Sequence, residues 1–337
     1  MKISVLMPVK NAANTVARAI RSIQSQSFTN WELIIVDDHS TDSTLQIVHQ
    51  FTADDHRIRP TSSVGQGITD ALNFGVSHCK GRYLARMDAD DVSLPDRLAS
   101  QFSFLNENWD VGLVATRVNF KGDSALNAGY ANYVDWTNHL INWPDLRANR
   151  FVESPFAHPS VMFRRSLIKT STNCYRSGDF PEDYELWLRW MDAGIKMTKL
   201  PEYLVDWYDT PNRLSRTDRR YAPAAFFHIK AQYLATWLKR TLSKYRPIWI
   251  WGAGRITRTR VELLVKEGIS FTGYIDVDPS KIGRITNDLP VISYKDIPVS
   301  TQPYIISYIG NRGARDDIRN YLLQLGLKEE VDFIIAA

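Results

Sequence analysis

The sequence predicts an α/β protein of two units, a larger one first and a smaller one beginning near residue 246. Three observations predict it. Apolar runs alternate with segments of helical apolar spacing through the first part of the chain. Two acidic clusters, Asp37-Asp38 and Asp88-Ala89-Asp90-Asp91, directly follow two of those runs. A fresh strand, glycine turn and helix then open at Ile248, after the break Arg246-Pro247. A chain of 337 residues also fits two domains better than one.

Taken in order, Ile3 to Met7 reads as a strand. Asn14 to Gln26 reads as a helix with Val16, Ala19, Ile20 and Ile23 on one face. Trp31 to Val36 is nearly continuous in apolar residues, as a parallel strand buried on both faces should be. Ser40-Thr41-Asp42 opens a helix through about Phe51. A short strand over 57–60, a helix from Gly67 to His78 and a strand from Arg82 to Met87 complete a doubly wound half. In such a half, ligands sit beyond the carboxyl ends of the strands. Leu94-Pro95-Asp96-Arg97 opens the next helix. Residues 110–215 mix short strands and Trp-rich loops around one strong helix, Pro181 to Ala193. Tyr221 to Tyr245 is a long helical segment, followed by strand Ile248 to Trp251, helix Ile256 to Lys266 and strand Phe271 to Ile275. The expected division is a domain over 1–220, a linker helix over 221–245 and a second domain over 246–337.

The composition describes an ordinary globular protein, with 44% hydrophobic and 23% charged residues. A net charge of +4 is too mild to imply a nucleic-acid partner, and no run reaches the length of a membrane span. The segment from Met1 to Val9 is interrupted at Pro8 and reads as a first strand, not a signal peptide. Cys79 and Cys174 are too few for a disulfide framework, which fits a cytoplasmic protein. Ten Trp and fifteen Tyr are a heavy aromatic load, suited either to core packing or to a sugar or lipid surface.

The acidic clusters carry the chemistry. Carboxylates as close as Asp88, Asp90 and Asp91 repel one another unless a cation sits among them. Oxygen-only ligands with no Cys or His beside them favour a hard ion, Mn²⁺ or Mg²⁺. The plainer alternative is an acidic turn before the next helix. A strand-end carboxylate such as Asp37 or Asp38 can accept a hydrogen bond from a pyrimidine imide, or it can simply cap the following helix. Phe180-Pro181-Glu182-Asp183-Tyr184-Glu185 places acids at a helix start, where Pro181 costs no hydrogen bond. An acid there is expected to keep a low pKa and stay ionised, as a proton acceptor should.

The run Ser4 to Asn11, the run Val36 to Thr44 and Asp88-Ala89-Asp90-Asp91, in that order and separation, resemble glycosyltransferase family 2 over about residues 1–215. These are inverting sugar transferases of GT-A type. The resemblance implies a nucleoside-diphosphate sugar donor, most simply UDP-linked, and a saccharide or lipid-linked acceptor. It implies Pro8 and Val9 as the wall under the base, with Asn11, Asp37 and Asp38 beside the nucleoside and Gly67 and Asn73 in the following motif. Thr69-Asp70 departs from the family, where relatives often carry a basic residue. Asp90 would ligate the divalent ion, Asp88 would hold the ribose or a metal-bound water, and Asp183 would be the base. His158 would meet the metal, the diphosphate or the acceptor. Arg213 or Arg216 would close on the diphosphate, since a guanidinium binds phosphate oxygens bidentately.

Two further readings concern the rest of the chain. Tyr221 to Tyr245 pairs apolar positions with Lys230, Lys239, Arg240 and Lys244, so it either packs between domains or lies on an anionic membrane as a peripheral contact. Trp251-Gly252-Ala253-Gly254 resembles the turn of a Rossmann-like unit, with Asp276 near the place of a ribose-binding acid and Thr257 where a third glycine would stand. This makes Gly252, Gly254 and Asp276 a second nucleotide site, or makes the unit an accessory, regulatory or homo-oligomerising domain. An oxidoreductase role finds no hydride-transfer partner, because no His follows His228 and no Tyr-x-x-x-Lys spacing occurs there. A sugar-nucleotide pyrophosphorylase would be expected to carry a glycine-rich basic loop near the start, and Met7 to Asn11 has none. A non-catalytic sugar-nucleotide sensor stands as the other alternative.

Overall fold

The computed structural model describes residues 2–168, 173–210 and 213–337. The chain forms two compact units, Met1–Leu146 with Pro155–Tyr221, and Arg147–Ser154 with Ala222–Ala337.

The first unit is built on strands β1 (Ile3–Val9), β2 (Trp31–Asp37), β3 (Ile58–Ser62), β4 (Tyr83–Arg86), β5 (Val92–Ser93), β6 (Val111–Lys121), β7 (Met162–Arg164) and β8 (Lys196–Tyr208). Their order across one sheet is β3-β2-β1-β4-β7-β6-β8-β5. β1 runs parallel to both β2 and β4, while β7 is antiparallel to β4 and β6. The chain leaves β1 to build β2 and β3 on one side, then returns to lay β4 on the other. The crevice beyond β1 and β4 is therefore a switch point, where open α/β sheets bind ligands.

Every residue of β1 and β2 is buried, as the apolar run over 31–36 anticipates. Helix Val16–Gln24 lays Val16, Ala19, Ile20 and Ile23 on Val5, Met7, Leu33 and Ile35 in one core cluster. Fully burying such side chains contributes roughly 1.5–3 kcal/mol each. Helix Arg97–Glu107 buries Leu98 and Leu105 in the same core. Its first residue, Arg97, donates to the Arg86 carbonyl at 2.7 Å and so ties the end of β4 to the helix start.

The second unit holds β9 (Ile248–Trp251), β10 (Gly273–Asp276), β11 (Ile285–Thr286), β12 (Leu289–Ser293), β13 (Tyr304–Ser307) and β14 (Phe333–Ile335), in the order β11-β12-β10-β9-β13-β14. All neighbours pair in parallel except β11 with β12. This is the Rossmann-like sheet the glycine turn led us to expect.

The helix read from sequence as a separate linker runs Pro223–Thr241 and belongs to this second unit. Its apolar stripe, Ile229, Ala231, Leu234, Ala235 and Leu238, is buried. Trp237 packs on Phe151 and Tyr304, and Lys230 Nζ donates to the Val152 carbonyl at 2.9 Å. That stripe is covered within the unit, while Phe226, Phe227, Tyr233 and Trp237 on the same helix are half-buried. Residues 147–154 join the unit through Arg147 and Arg150, which meet Glu330 at 2.6 and 2.5 Å. A pass along the chain cannot see eight residues contributed across such a separation. Among the described residues, no helix is long and apolar enough to cross a membrane.

Candidate active site

Strand β1 ends at Val9 and β2 at Asp37, and the turns beyond them are cross-linked. Asn11, at φ 49°, accepts from the Thr41 N–H at 2.8 Å and donates its own N–H to Ser40 Oγ at 3.0 Å. Asp37 accepts from the Ser40 N–H at 3.2 Å, a local turn bond and not a helix cap, since the helix starts only at Thr44. Asp38 does more: one oxygen accepts from Lys10 Nζ at 3.2 Å and the other from the Gly67 N–H at 2.8 Å. Gly67 sits at φ 92° and starts helix Ile68–His78. Asp38 thus gathers the ends of β1 and β2 and this helix start around one buried carboxylate. Pro8 and Val9 are buried beneath them.

β4 carries the chain to the second acidic group. One carboxylate oxygen from each of Asp88, Asp90 and Asp91 lies within 4.8 Å of the others. Arg86, buried at 3% exposure, donates to Asp88 at 2.6 Å. Burial would push the Asp88 carboxyl up, but Arg86 and then Arg213 outweigh it and hold the pKa below the ordinary value. Asp90 and Asp91 go the other way. Burial raises both, with Asp88 adding to the effect on Asp90 and Arg213 only partly opposing it on Asp91. Asp91 Oδ1 accepts from the Tyr208 N–H at 2.8 Å, while its buried Oδ2 has no hydrogen-bond partner among the described residues. Clustered oxygens, two carboxyls raised by burial and like charge, and one orphaned buried oxygen are what a hard divalent cation satisfies. The donor set fits Mn²⁺ or Mg²⁺.

The helix expected at Pro181 runs Glu182–Asp192, and Asp183 is partly exposed on its first turn. Its Oδ1 accepts from the Tyr184 N–H at 2.7 Å. The expected low pKa is not found. Burial, then the neighbouring charge of Glu182, raises Asp183 from 3.8 to about 8. The single N–H at the helix start does not offset desolvation in so acidic a setting. Glu182 is buried, accepts from the Tyr221 hydroxyl at 2.7 Å, and is likewise raised by burial.

Several expected binding groups are occupied otherwise. His158 lies outside the three-carboxylate group: its Nε2 bonds the Tyr175 hydroxyl at 3.0 Å and its ring meets Trp187 edge-on. Burial and then Arg86 drive its pKa well below the ordinary value, so it is neutral. Asn73 accepts from the Tyr175 N–H at 2.9 Å and donates to the Tyr175 carbonyl at 2.8 Å, so its amide fastens the backbone behind His158 instead of facing a nucleotide. Arg216 is paired with Asp209 at 2.7 Å and with Asn127 at 2.8 Å, not turned to a phosphate. Arg213 does face the acidic group, 4.0 Å from Asp91. In the second unit, Asp276 accepts from the Ala253 N–H at 2.8 Å and the Asp278 N–H at 2.9 Å and pairs with Lys281, which leaves it a closer of the glycine turn. Gly252 needs its glycine: at φ 104°, a Cβ would stand 2.8 Å from Ile309 Cδ1. Gly254 precedes helix Arg255–Lys266 with open space around it.

Sequence reasoning counted Asp91 among the three close acids but gave it no role of its own, and it missed Arg86 and the Tyr175 and Tyr221 hydroxyls. Arg86 stood inside the motif, but nothing in a linear string shows that this Arg is buried behind partly exposed acids.

A sheet with its acids at the switch point, and a helix start that offers further acids, is the arrangement of a GT-A-type glycosyltransferase. The profile described as glycosyl transferase family 2 matches residues 4–171, and one described as C2185-like, N-terminal, matches 244–331. The O-antigen biosynthesis glycosyltransferase WbnJ of Escherichia coli is 30% identical over 251 residues, covering 72% of this chain and 92% of that protein. A UDP-Gal:alpha-D-GlcNAc-diphosphoundecaprenol beta-1,3-galactosyltransferase of Escherichia coli is 28% identical, covering 81% of this chain and 94% of its own. The crystal structure of S. aureus TarS 1-349 in complex with UDP-GlcNAc shares the fold, with a TM-score of 0.55 at 16% identity over 79% of this chain and 71% of that one. The chain belongs to glycosyltransferase family 2, and it is a glycosyltransferase.

Proposed function

We propose that this glycosyltransferase is metal-dependent and inverting, and moves a sugar from a UDP-linked donor to a saccharide or lipid-linked acceptor in surface polysaccharide synthesis. The observation that carries the reading is the grouping of Asp88, Asp90 and Asp91 at the switch point, with Asp183 on a separate helix start. The names of the relatives support it: one acts in O-antigen biosynthesis, another on UDP-Gal and a diphosphoundecaprenol-linked acceptor.

Asp37 or Asp38 receives the uracil imide N–H, since each carboxylate retains acceptor capacity beyond its present bonds. Pro8 and Val9 support the base, and Asn11 holds the turn beside it. Asp88, Asp90 and Asp91 would hold a divalent cation, which when bound would supply positive charge to the leaving diphosphate. Asp183 takes the proton of the acceptor hydroxyl as that oxygen attacks the sugar from the face opposite the diphosphate. As a base it must be ionised to act, so with its pKa raised to about 8 alkaline solution favours the working form. Neutral His158, tied to Tyr175, lines the site as an aromatic neighbour. Tyr130, Tyr133 and Trp207 form a cluster with Val118 and Val205, and we assign the acceptor to this aromatic side. A membrane is then met through a lipid-linked acceptor.

The test is a donor panel with and without Mn²⁺. A UDP-linked sugar should raise the melting temperature only with the ion, and UDP should be released on turnover. No response to any UDP compound, with a response to another nucleoside diphosphate, would overturn the donor assignment. UDP release unaffected by chelator would overturn the metal.

A further inference from the structure

We propose that Arg213 is a built-in counter-cation of the carboxylate group, a positioning residue that competes with a divalent cation for Asp90 and Asp91 and is redirected to the donor diphosphate when the cation arrives. The inference deepens the metal and donor reading above and rests on it.

The geometry is specific. Arg213 Nη1 lies 4.0 Å from Asp91 Oδ1, and its side chain is only 11% exposed. The guanidinium stacks on Trp207 with its carbon 3.9 Å from the ring centroid, and it donates to the Tyr208 carbonyl at 2.5 Å. Tyr208 in turn gives its N–H to Asp91, so one short segment presents both a fixed donor and a cation to the same acid. Thr210 Oγ1 reaches Asp90 at 3.4 Å. Tyr208 is itself covered by Arg18, 3.8 Å over its ring, and Arg18 also donates to the Asp90 carbonyl at 2.5 Å.

Arg86 is hydrogen-bonded to Asp88, and Arg213 is the guanidinium that comes nearest to Asp91, with Arg86 and Arg97 adding weaker charge effects on the group. The charges of all three acids favour the protonated guanidinium despite its burial. Yet the nearest approach is long for a charge-assisted hydrogen bond, and Asp91 Oδ2 still lacks a partner. Arg213 neutralises the group without saturating it. A doubly charged ion entering the same oxygens must share them with this guanidinium, and like charges in a buried site repel strongly. Two consequences follow. Cation affinity is low while Arg213 remains on the acids, and Arg213 is driven towards whatever anion comes in with the ion. A diphosphate offers oxygens that a guanidinium can bind bidentately. Cation and donor therefore promote each other's binding, a coupling that must be reciprocal.

Mn²⁺ binding to the full chain, measured by calorimetry and by the loss of the free-ion paramagnetic signal, tests this with and without UDP. Arg213→Met should bind Mn²⁺ alone roughly tenfold more tightly than the unaltered protein, a usual size for coupling between adjacent sites. UDP should then enhance Mn²⁺ affinity far more in the unaltered protein than in Arg213→Met. Arg213→Lys, which restores the charge, should behave like the unaltered protein. If Arg213→Met does not fold, Arg213→Gln carries the same expectation while keeping a donor for the Tyr208 carbonyl. Equal Mn²⁺ affinity in charged and neutral variants overturns the counter-cation and leaves the metal reading standing. Absence of Mn²⁺ binding in every variant, with and without UDP, overturns both.

Discussion

Arg86 donates to Asp88 at 2.6 Å from a side chain that is 3% exposed, and its Nε is buried with no hydrogen-bond partner among the described residues. One buried cation thus fixes the first acid of the three-carboxylate group from behind. Its charge also lowers the pKa of His158 and moderates that of Asp183.

Removing that cation should cost both fold and function. Arg86→Met leaves Asp88 uncompensated, and since Asp88 is partly exposed we expect a loss of about 2–4 kcal/mol, at or below the usual cost of breaking a buried pair. Urea unfolding measures it. Arg86→Lys should recover part of the stability, because a single ammonium replaces the planar fork incompletely.

Asp183→Asn should lower turnover by roughly 10²–10⁴-fold while donor and Mn²⁺ binding stay nearly intact, the usual worth of a general base. Asp90→Ala should instead abolish Mn²⁺-dependent donor binding. Steady-state kinetics beside thermal shifts separate the two. Similar losses of donor affinity in both variants, with turnover at saturation unharmed, would contradict the roles assigned.

The raised pKa of Asp183 makes a signed prediction about stability. Its folded value, about 8, stands above the unfolded 3.8, so the stability linked to the protonated form is fully present below about pH 4. It declines as pH rises and is lost through pH 8. With chelator present, Asp183→Asn should therefore gain stability relative to the unaltered protein between pH 5 and pH 9. A constant difference across that range would show that Asp183 is not raised.

Gly67→Ala tests the turn held by Asp38. A Cβ there meets nothing within 4 Å, so the penalty lies in the backbone at φ 92° and ψ 165°, a region open essentially to glycine alone. We expect about 1–3 kcal/mol of lost stability and weaker donor binding, since the helix start would shift from Asp38.

A chain ending at Tyr245 retains all the proposed site carboxylates but loses Glu330, the partner of Arg147 and Arg150, and the sheet beside helix Pro223–Thr241. We expect it to bind Mn²⁺ and UDP but to melt lower and to expose an apolar helix face, measured by calorimetry and dye binding. Loss of all donor binding in a folded chain of that length would mean that the second unit serves the site directly.

Much of this was legible in the residues themselves. Period and apolar runs determined the strands at 3–9, 31–37 and 83–86 and the helices between them, because a parallel strand buried on both faces leaves no room for polar side chains. Motif order determined the family, and the position of Asp37, Asp38, Asp88 and Asp90 after strands pointed to the switch point as the proposed site. Tertiary structure alone decided the rest. It gave Asn73 to Tyr175 and Arg216 to Asp209, raised Asp183 where its helix position argued for a low value, and carried residues 147–154 into the second unit. The reason is common to all four. Which partner satisfies a polar group, and how far water is excluded from a charge, depend on side chains distant in sequence, whereas strand and helix periods are written in neighbours.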